Sequence, residues 1–138
     1  MTMLSAMKIS SSAMTAQMVR MNTTASNLAN LDVKGSTEEE AYKAKKPIFS
    51  TIIEKFTEND YQAGVRVTGI QQTTRPNIRL YEPQSPVANE EGYIFQSNVN
   101  SIEEMVEMTN ATRSYQTNVE VMNATKKMMM ATLQLGKG

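Results

Sequence analysis

Two interleaved seven-residue repeats run through the first thirty residues and constrain the fold more than any other feature. Leu4, Ser11, Met18 and Ala25 form one series, and Met7, Met14, Met21 and Leu28 the other. Apolar and small residues at this spacing mark the face of a helix built to pair with another helix. No Gly or Pro interrupts residues 3–30, so the spacing predicts one helix roughly 42 Å long at about 1.5 Å per residue. Its charge is as unusual as its length. Between Met1 and Leu31 the only charged residues are Lys8 and Arg20, whereas a surface helix normally carries a charged outer face. Small polar groups here fit a helix enclosed on several sides in an assembly. Enclosure within a single chain is the alternative, but little chain remains to surround it.

The other end repeats the habit. Met105, Met108, Thr112, Tyr115, Val119, Met122, Lys126, Met129 and Leu133 are spaced three and four apart. Ser101 and Glu104 have capping-box spacing, and Glu103 and Glu104 suit the positive pole of a helix dipole. Lys126 and Lys127 lie toward the negative pole, and Gly136 closes the pattern. If continuous, this second helix is roughly 52 Å long.

Between the ends the texture changes. Residues 31–47 are polar and charged, with an acidic run at Glu38–Glu40 and a basic run from Lys43 to Lys46, and read as an exposed loop. Ile48–Phe56 and Gly64–Thr73 read as two short strands of a hairpin, its turn bracketed by Asn59, Asp60 and Gly64. Ile78–Tyr81 and Tyr93–Phe95 read as further short strands, separated by a loop that Pro83 and Pro86 hold extended. The expected fold is α+β and mainly α: two long terminal helices in a coiled-coil-like pair around a small β-rich insert. Its parts are an N-terminal helix (1–31), an exposed polar loop (32–47), a β-rich insert (48–97) and a C-terminal helix (98–138).

Composition excludes much chemistry. Fourteen basic and fourteen acidic residues give zero formal charge, which argues against nucleic acid as a partner. Cys and His are both absent, so thiol nucleophiles, Cys/His zinc sites and the usual neutral-pH general base are missing. Glu38–Glu40, Glu90-Glu91 and Glu103-Glu104 are local runs with no opposed partner, which is the pattern of solvated charge rather than of acid/base pairs. No catalytic, cofactor or metal site and no small-molecule substrate is expected. No stretch reaches the roughly 18 apolar residues of a membrane span, and the N-terminus has no uninterrupted apolar segment of a secretory signal. Twelve Met, concentrated toward the ends, suit adaptable contact surfaces or ordinary core filling. Tyr115 can bury its ring and leave its hydroxyl for a partner. Arg113 could clamp a carboxylate or carbonyl of another subunit, or could simply be solvated.

Several stretches resemble the bacterial flagellar basal-body rod proteins. Arg20 to Asn30, with its core Ala25-Ser26-Asn27-Leu28-Ala29-Asn30, resembles the signature shared by rod and hook proteins. Asn98-Val99-Asn100, Glu103 to Val106, Ala111, Arg113 to Gln116 and Asn118 to Val121 resemble the second signature. Val65-Arg66-Val67, Tyr81-Glu82-Pro83, Pro86, Ala88-Asn89 and Gly92-Tyr93 resemble the proximal rod subunit in particular. The resemblance implies a structural, non-enzymatic subunit of the basal body in the cell envelope. It also implies export through the flagellar type III apparatus without signal cleavage, then helical assembly with other rod proteins and further copies to transmit torque. Phe49 to Ile53 resembles a short export-recognition segment of this class, with a buried strand as the competing reading. The candidate assembly interface joins seam and signature: Leu4, Met7, Met14, Met18, Met21, Ala25, Ser26, Asn27, Leu28 and Asn30 at one end. Met105, Met108, Arg113, Tyr115, Asn118, Val119, Met122, Met129 and Leu133 supply the other. A coiled-coil subunit of another secretion system or surface appendage is the alternative that the heptads alone would permit.

Overall fold

The computed structural model describes residues 3–57 and 60–136, and the side chains of 3–53 and 63–136. In chain order the elements are α1 (Met3–Ala29), β1 (Lys34–Gly35), β2 (Lys45–Thr57), β3 (Asp60–Gln72), β4 (Ile78–Tyr81), β5 (Tyr93–Gln96) and α2 (Ser101–Leu135). The fold is two terminal helices around a small antiparallel β-rich region.

α1 is the long uninterrupted helix that its repeats predict. α2 starts one residue differently from the capping-box reading. Asn100 is the cap, its side chain accepting from the amides of Ile102 and Glu103, and Ser101 is already helical. An Asn carboxamide reaches the second and third amides of the first turn as well as a hydroxyl does. Gly136 caps the other end with ordinary right-handed φ of -80°. The last turn carries no basic residue, so Lys126 and Lys127 sit too far back to act on the terminal carbonyls.

The helices run antiparallel. Thr112 Oγ1 lies 3.5 Å from Met21 Sδ, and one turn later on α1, Thr24 shares a cavity wall with Glu107 and Glu104. Rising numbers on α1 therefore meet falling numbers on α2.

β2 and β3 form a long antiparallel hairpin that lies back along α1. The Val65 amide donates to Ser12 Oγ at 3.2 Å, and the Arg20 guanidinium stacks 4.6 Å from the Phe49 ring centre. Gly64 pairs with Ile52 inside the ladder rather than forming the turn; residues 58 and 59 lie outside the described residues. The register shifts between Ile48 and Phe49, leaving Thr68 as the extra residue. Its hydroxyl donates to the Ile48 carbonyl, satisfying a group that a bulge would otherwise leave unpaired.

β1, β5 and β4 form a second sheet with β5 in the middle. β5 carries Ile94, the largest fully buried side chain. Gly92, at φ +79°, makes the turn into β5 with a backbone conformation that L side chains avoid. The Asn89 side chain accepts from the amides of Glu91 and Tyr93 beside it.

Candidate assembly interface

Burial sorts the two α1 repeats into different roles. Met7, Met14, Met21 and Leu28 are half-buried and share a face with Ser10, Gln17 and Thr24, the face that meets α2 through Met21 and Thr24. Leu4, Ser11, Met18 and Ala25 are exposed. The sequence reading placed both series in one seam. The two series lie only about 60° apart around the helix, but α2 packs to the far side of the second series, over Ser10, Gln17 and Thr24, and the hairpin takes the opposite side, so the first series falls between them. An uncharged stripe is left open from Ser11 through Thr15, Met18, Asn22 and Ala25 to Ala29.

α2 shows the same half-shift. Met108, Tyr115, Met122 and Met129 are half-buried as expected. They alternate with Glu104, Ala111, Asn118 and Thr125; of the other expected seam residues, Thr112 is half-buried and meets Met21, whereas Met105, Lys126 and Leu133 are exposed. Ala111 is fully buried, and its small side chain lets the helices approach closely. Met105 and Leu133 project into solvent; Val119 is half-buried. Arg113 is exposed, and its guanidinium makes no hydrogen bond or ion pair with the described residues. Glu104 is buried and lines a cavity with Arg20, Thr24, Lys46, Phe49 and Glu107.

The signature residues Ser26, Asn27 and Asn30 do a separate job. Asn27 is 1% exposed. Its Nδ2 donates to the Lys45 carbonyl at 2.8 Å, and its Oδ1 accepts from the Lys45 amide at 2.9 Å and from the Tyr42 hydroxyl at 3.0 Å. Ser26 Oγ lies 3.4 Å from the same hydroxyl. Asn30 Nδ2 donates to the Ser26 carbonyl, closing the helix end. Two further asparagines complete the joint. Asn98 Oδ1 accepts from the Ala44 amide and its Nδ2 donates to Arg75, while Asn77 Nδ2 donates to the carbonyls of Tyr42 and Gln96. Residues 41–45, expected to lie in an exposed loop, are thereby tied to α1 by Asn27 and to the segments flanking the second sheet by Asn77 and Asn98, with Ala41 and Ala44 buried. The sequence reading missed the clamping roles of Tyr42, Asn77 and Asn98. Isolated asparagines beside irregular backbone are the only signal that could have found them.

What the chain buries is small. Among the described residues the buried apolar ones are Ala16, Ala41, Ala44, Ile94, Val99 and Ala111, four of them alanine. Nineteen large apolar side chains are exposed among the described residues. The accessible surface is 9585 Å², against about 7,200 Å² for a compact monomer of this mass. Among the described residues, no group of acidic side chains is placed to hold a metal, and no helix is long and apolar enough to cross a membrane. The arrangement offers contact surface.

Comparison with known proteins gives these surfaces a context. The family model described as "Flagella basal body rod protein" matches residues 7–36, and "Flagellar basal body rod FlgEFG protein C-terminal" matches residues 90–135. The chain is 39% identical over 137 residues to "Flagellar basal-body rod protein FlgC" of Escherichia coli O6:H1, covering 99% of this chain and 100% of that one. It is 38% identical over 137 residues to the protein of that name from Salmonella typhimurium, with the same coverage. It is 37% identical over 150 residues to that of Bacillus subtilis, again covering 99% and 100%.

Proposed function

The chain belongs to the FlgC family of flagellar basal-body rod proteins and is a structural rod subunit, and from that premise we propose how it does its work. It is exported through the flagellar type III apparatus without signal cleavage. In the periplasm it stacks helically with other rod proteins and with copies of itself, and the finished rod transmits torque. The two terminal helices pack in coiled-coil fashion within and between subunits, while the hairpin and second sheet lie to one side. Family membership removes the alternative of another secretion appendage, and no catalytic step belongs to this role.

One observation carries the assembly reading. Among the described residues, a core of six small or medium side chains supports a surface bearing nineteen exposed large ones, far more apolar side chain than the fold itself covers. The excess surface of roughly 2,400 Å² over a compact monomer equals about three contacts of the usual 800 Å² per partner. A subunit surrounded by neighbours on several sides accounts for that. The stripe around Ser11 and Met18 and the exposed flank of α2 are the faces assigned to neighbours, and the asparagine joint holds the β region at a fixed angle to the helices.

Deletion of the gene with plasmid complementation tests this. Non-swimming cells with truncated basal bodies are expected, restored by the intact gene. Swimming cells with complete rods would sink the reading.

A further inference from the structure

A cavity of about 140 Å³ sits where α1, α2 and β2 meet, walled by Arg20 and Thr24, by Glu104 and Glu107, and by Lys46 and Phe49. At about 30 Å³ per water it has room for four or five waters, or for the end of one side chain. Its floor is polar and unsatisfied. Thr24 is 4% exposed and Glu104 5%, yet neither side chain makes a hydrogen bond or ion pair with the described residues. The other buried helical threonines return their hydroxyls to their own backbone, Thr23 to the Val19 carbonyl and Thr125 to that of Val121. Thr24 keeps its hydroxyl for the cavity. The first turn of α2 favours a carboxylate at Glu104, but its oxygens receive no donor there. A buried polar group in that state costs the free chain stability.

The rim is mixed and mostly basic. Arg20 lies over the Phe49 ring at 4.6 Å, and Lys45, also at the cavity, lies 5.5 Å from the Tyr42 ring centre. Lys46 is exposed and Glu107 half-buried. None of the three cations is within ion-pair distance of Glu104 or Glu107. A lone anion in the cavity would meet the buried carboxylate, and a lone cation would meet three basic residues. An apolar group would leave Glu104 and Thr24 as they are. A basic side chain with an acidic neighbour suits both levels, its donors on the floor and its carboxylate at the rim.

We propose that this cavity is a socket for a lysine or arginine side chain of a neighbouring rod protein. The side chain reaches Glu104 and Thr24, and an Asp or Glu beside it meets Arg20 and Lys46. The inference rests on the rod-subunit role and names the chemistry that one of its contacts takes. Glu104 is then a charge that the free chain leaves unpaired and the assembly neutralises.

Glu104→Gln and Thr24→Val keep the shape of the floor and remove its charge or its hydroxyl. In the purified chain each should leave the urea midpoint at or above that of the parent, because no contact within the chain is lost. In cells lacking the native gene each should reduce the swimming ring to less than about half the parental diameter, as loss of a desolvated anchor does. A fallen midpoint makes the floor a structural element of the chain, and parental swimming makes it a water pocket; either overturns the socket. A cryo-electron microscopy map of basal bodies tests the occupant itself. A lysine or arginine nitrogen from another chain is expected within about 3.5 Å of the Glu104 carboxylate. Water alone, or an apolar side chain, overturns the socket and leaves the rod-subunit role intact, because the chain is then still present in the rod. Absence of the chain from that map overturns both.

Discussion

Replacing Asn27 with alanine should cost this chain a large share of its stability. The side chain is 1% exposed and makes three hydrogen bonds of 2.8 to 3.0 Å, to both backbone groups of Lys45 and to the Tyr42 hydroxyl. Each bond contributes about 1 kcal/mol net, and a buried group left without a partner costs about 1–3 kcal/mol. A loss of about 3–4 kcal/mol is therefore expected. Domains of this size are stable by only about 5–15 kcal/mol, and the thin core here points to the low end. Asn30→Ala is the control, since it removes a single half-exposed bond within the end of α1 and should cost about 1 kcal/mol or less. Urea unfolding of the two purified variants, followed by far-ultraviolet circular dichroism, measures both. A difference below about 1 kcal/mol between them would refute the account of the asparagine joint.

Other substitutions separate contacts within the chain from contacts between chains. Ala111→Leu overfills a fully buried position and should destabilise by about 1–3 kcal/mol in the same unfolding assay. Gly35→Ala would place a Cβ 2.8 Å from the Ala41 backbone nitrogen. Backbone there cannot move aside cheaply, so its urea midpoint should fall well below that of Gly69→Ala, where a Cβ meets nothing within 4 Å. Leu4→Asp, at an exposed position, should leave unfolding within about 0.5 kcal/mol of the parent yet abolish swimming in soft agar. Met14→Asp, on the face toward α2, should lower both. Arg113→Ala should likewise spare the monomer and reduce swimming; unchanged swimming would mark Arg113 as merely solvated.

Much of the fold was legible because its long elements have strong periods. The 3.5-residue repeats gave both helices to within a few residues, and alternation of Ile, Val and Thr gave the hairpin and the two short strands. Which residues fill the helix seam was less legible. Met7, Met14 and Met21 look no more apolar than Leu4 and Met18, and only the placement of α2 and the hairpin decides which series is covered. Small residues deepened the ambiguity: Ala111 and Thr125 line the seam while Met105 and Leu133 stand outside it, the reverse of a hydrophobicity ranking. Large apolar side chains that stand exposed in one chain cannot report which face of a helix that chain covers. The asparagine joint was invisible for a different reason. Asn27 bonds a residue eighteen positions away and Asn98 one fifty-four away, and no local pattern encodes such pairings.

The central claim is that this surface is completed by neighbours in the rod. A cryo-electron microscopy structure of purified basal bodies measures that directly, as the accessible area each copy loses relative to the free chain. The account predicts a loss of at least about 2,000 Å² per copy, with Met18, Leu133 and Ile102 all covered. A loss below about 800 Å² with those side chains facing solvent, the scale of incidental contacts, would contradict it.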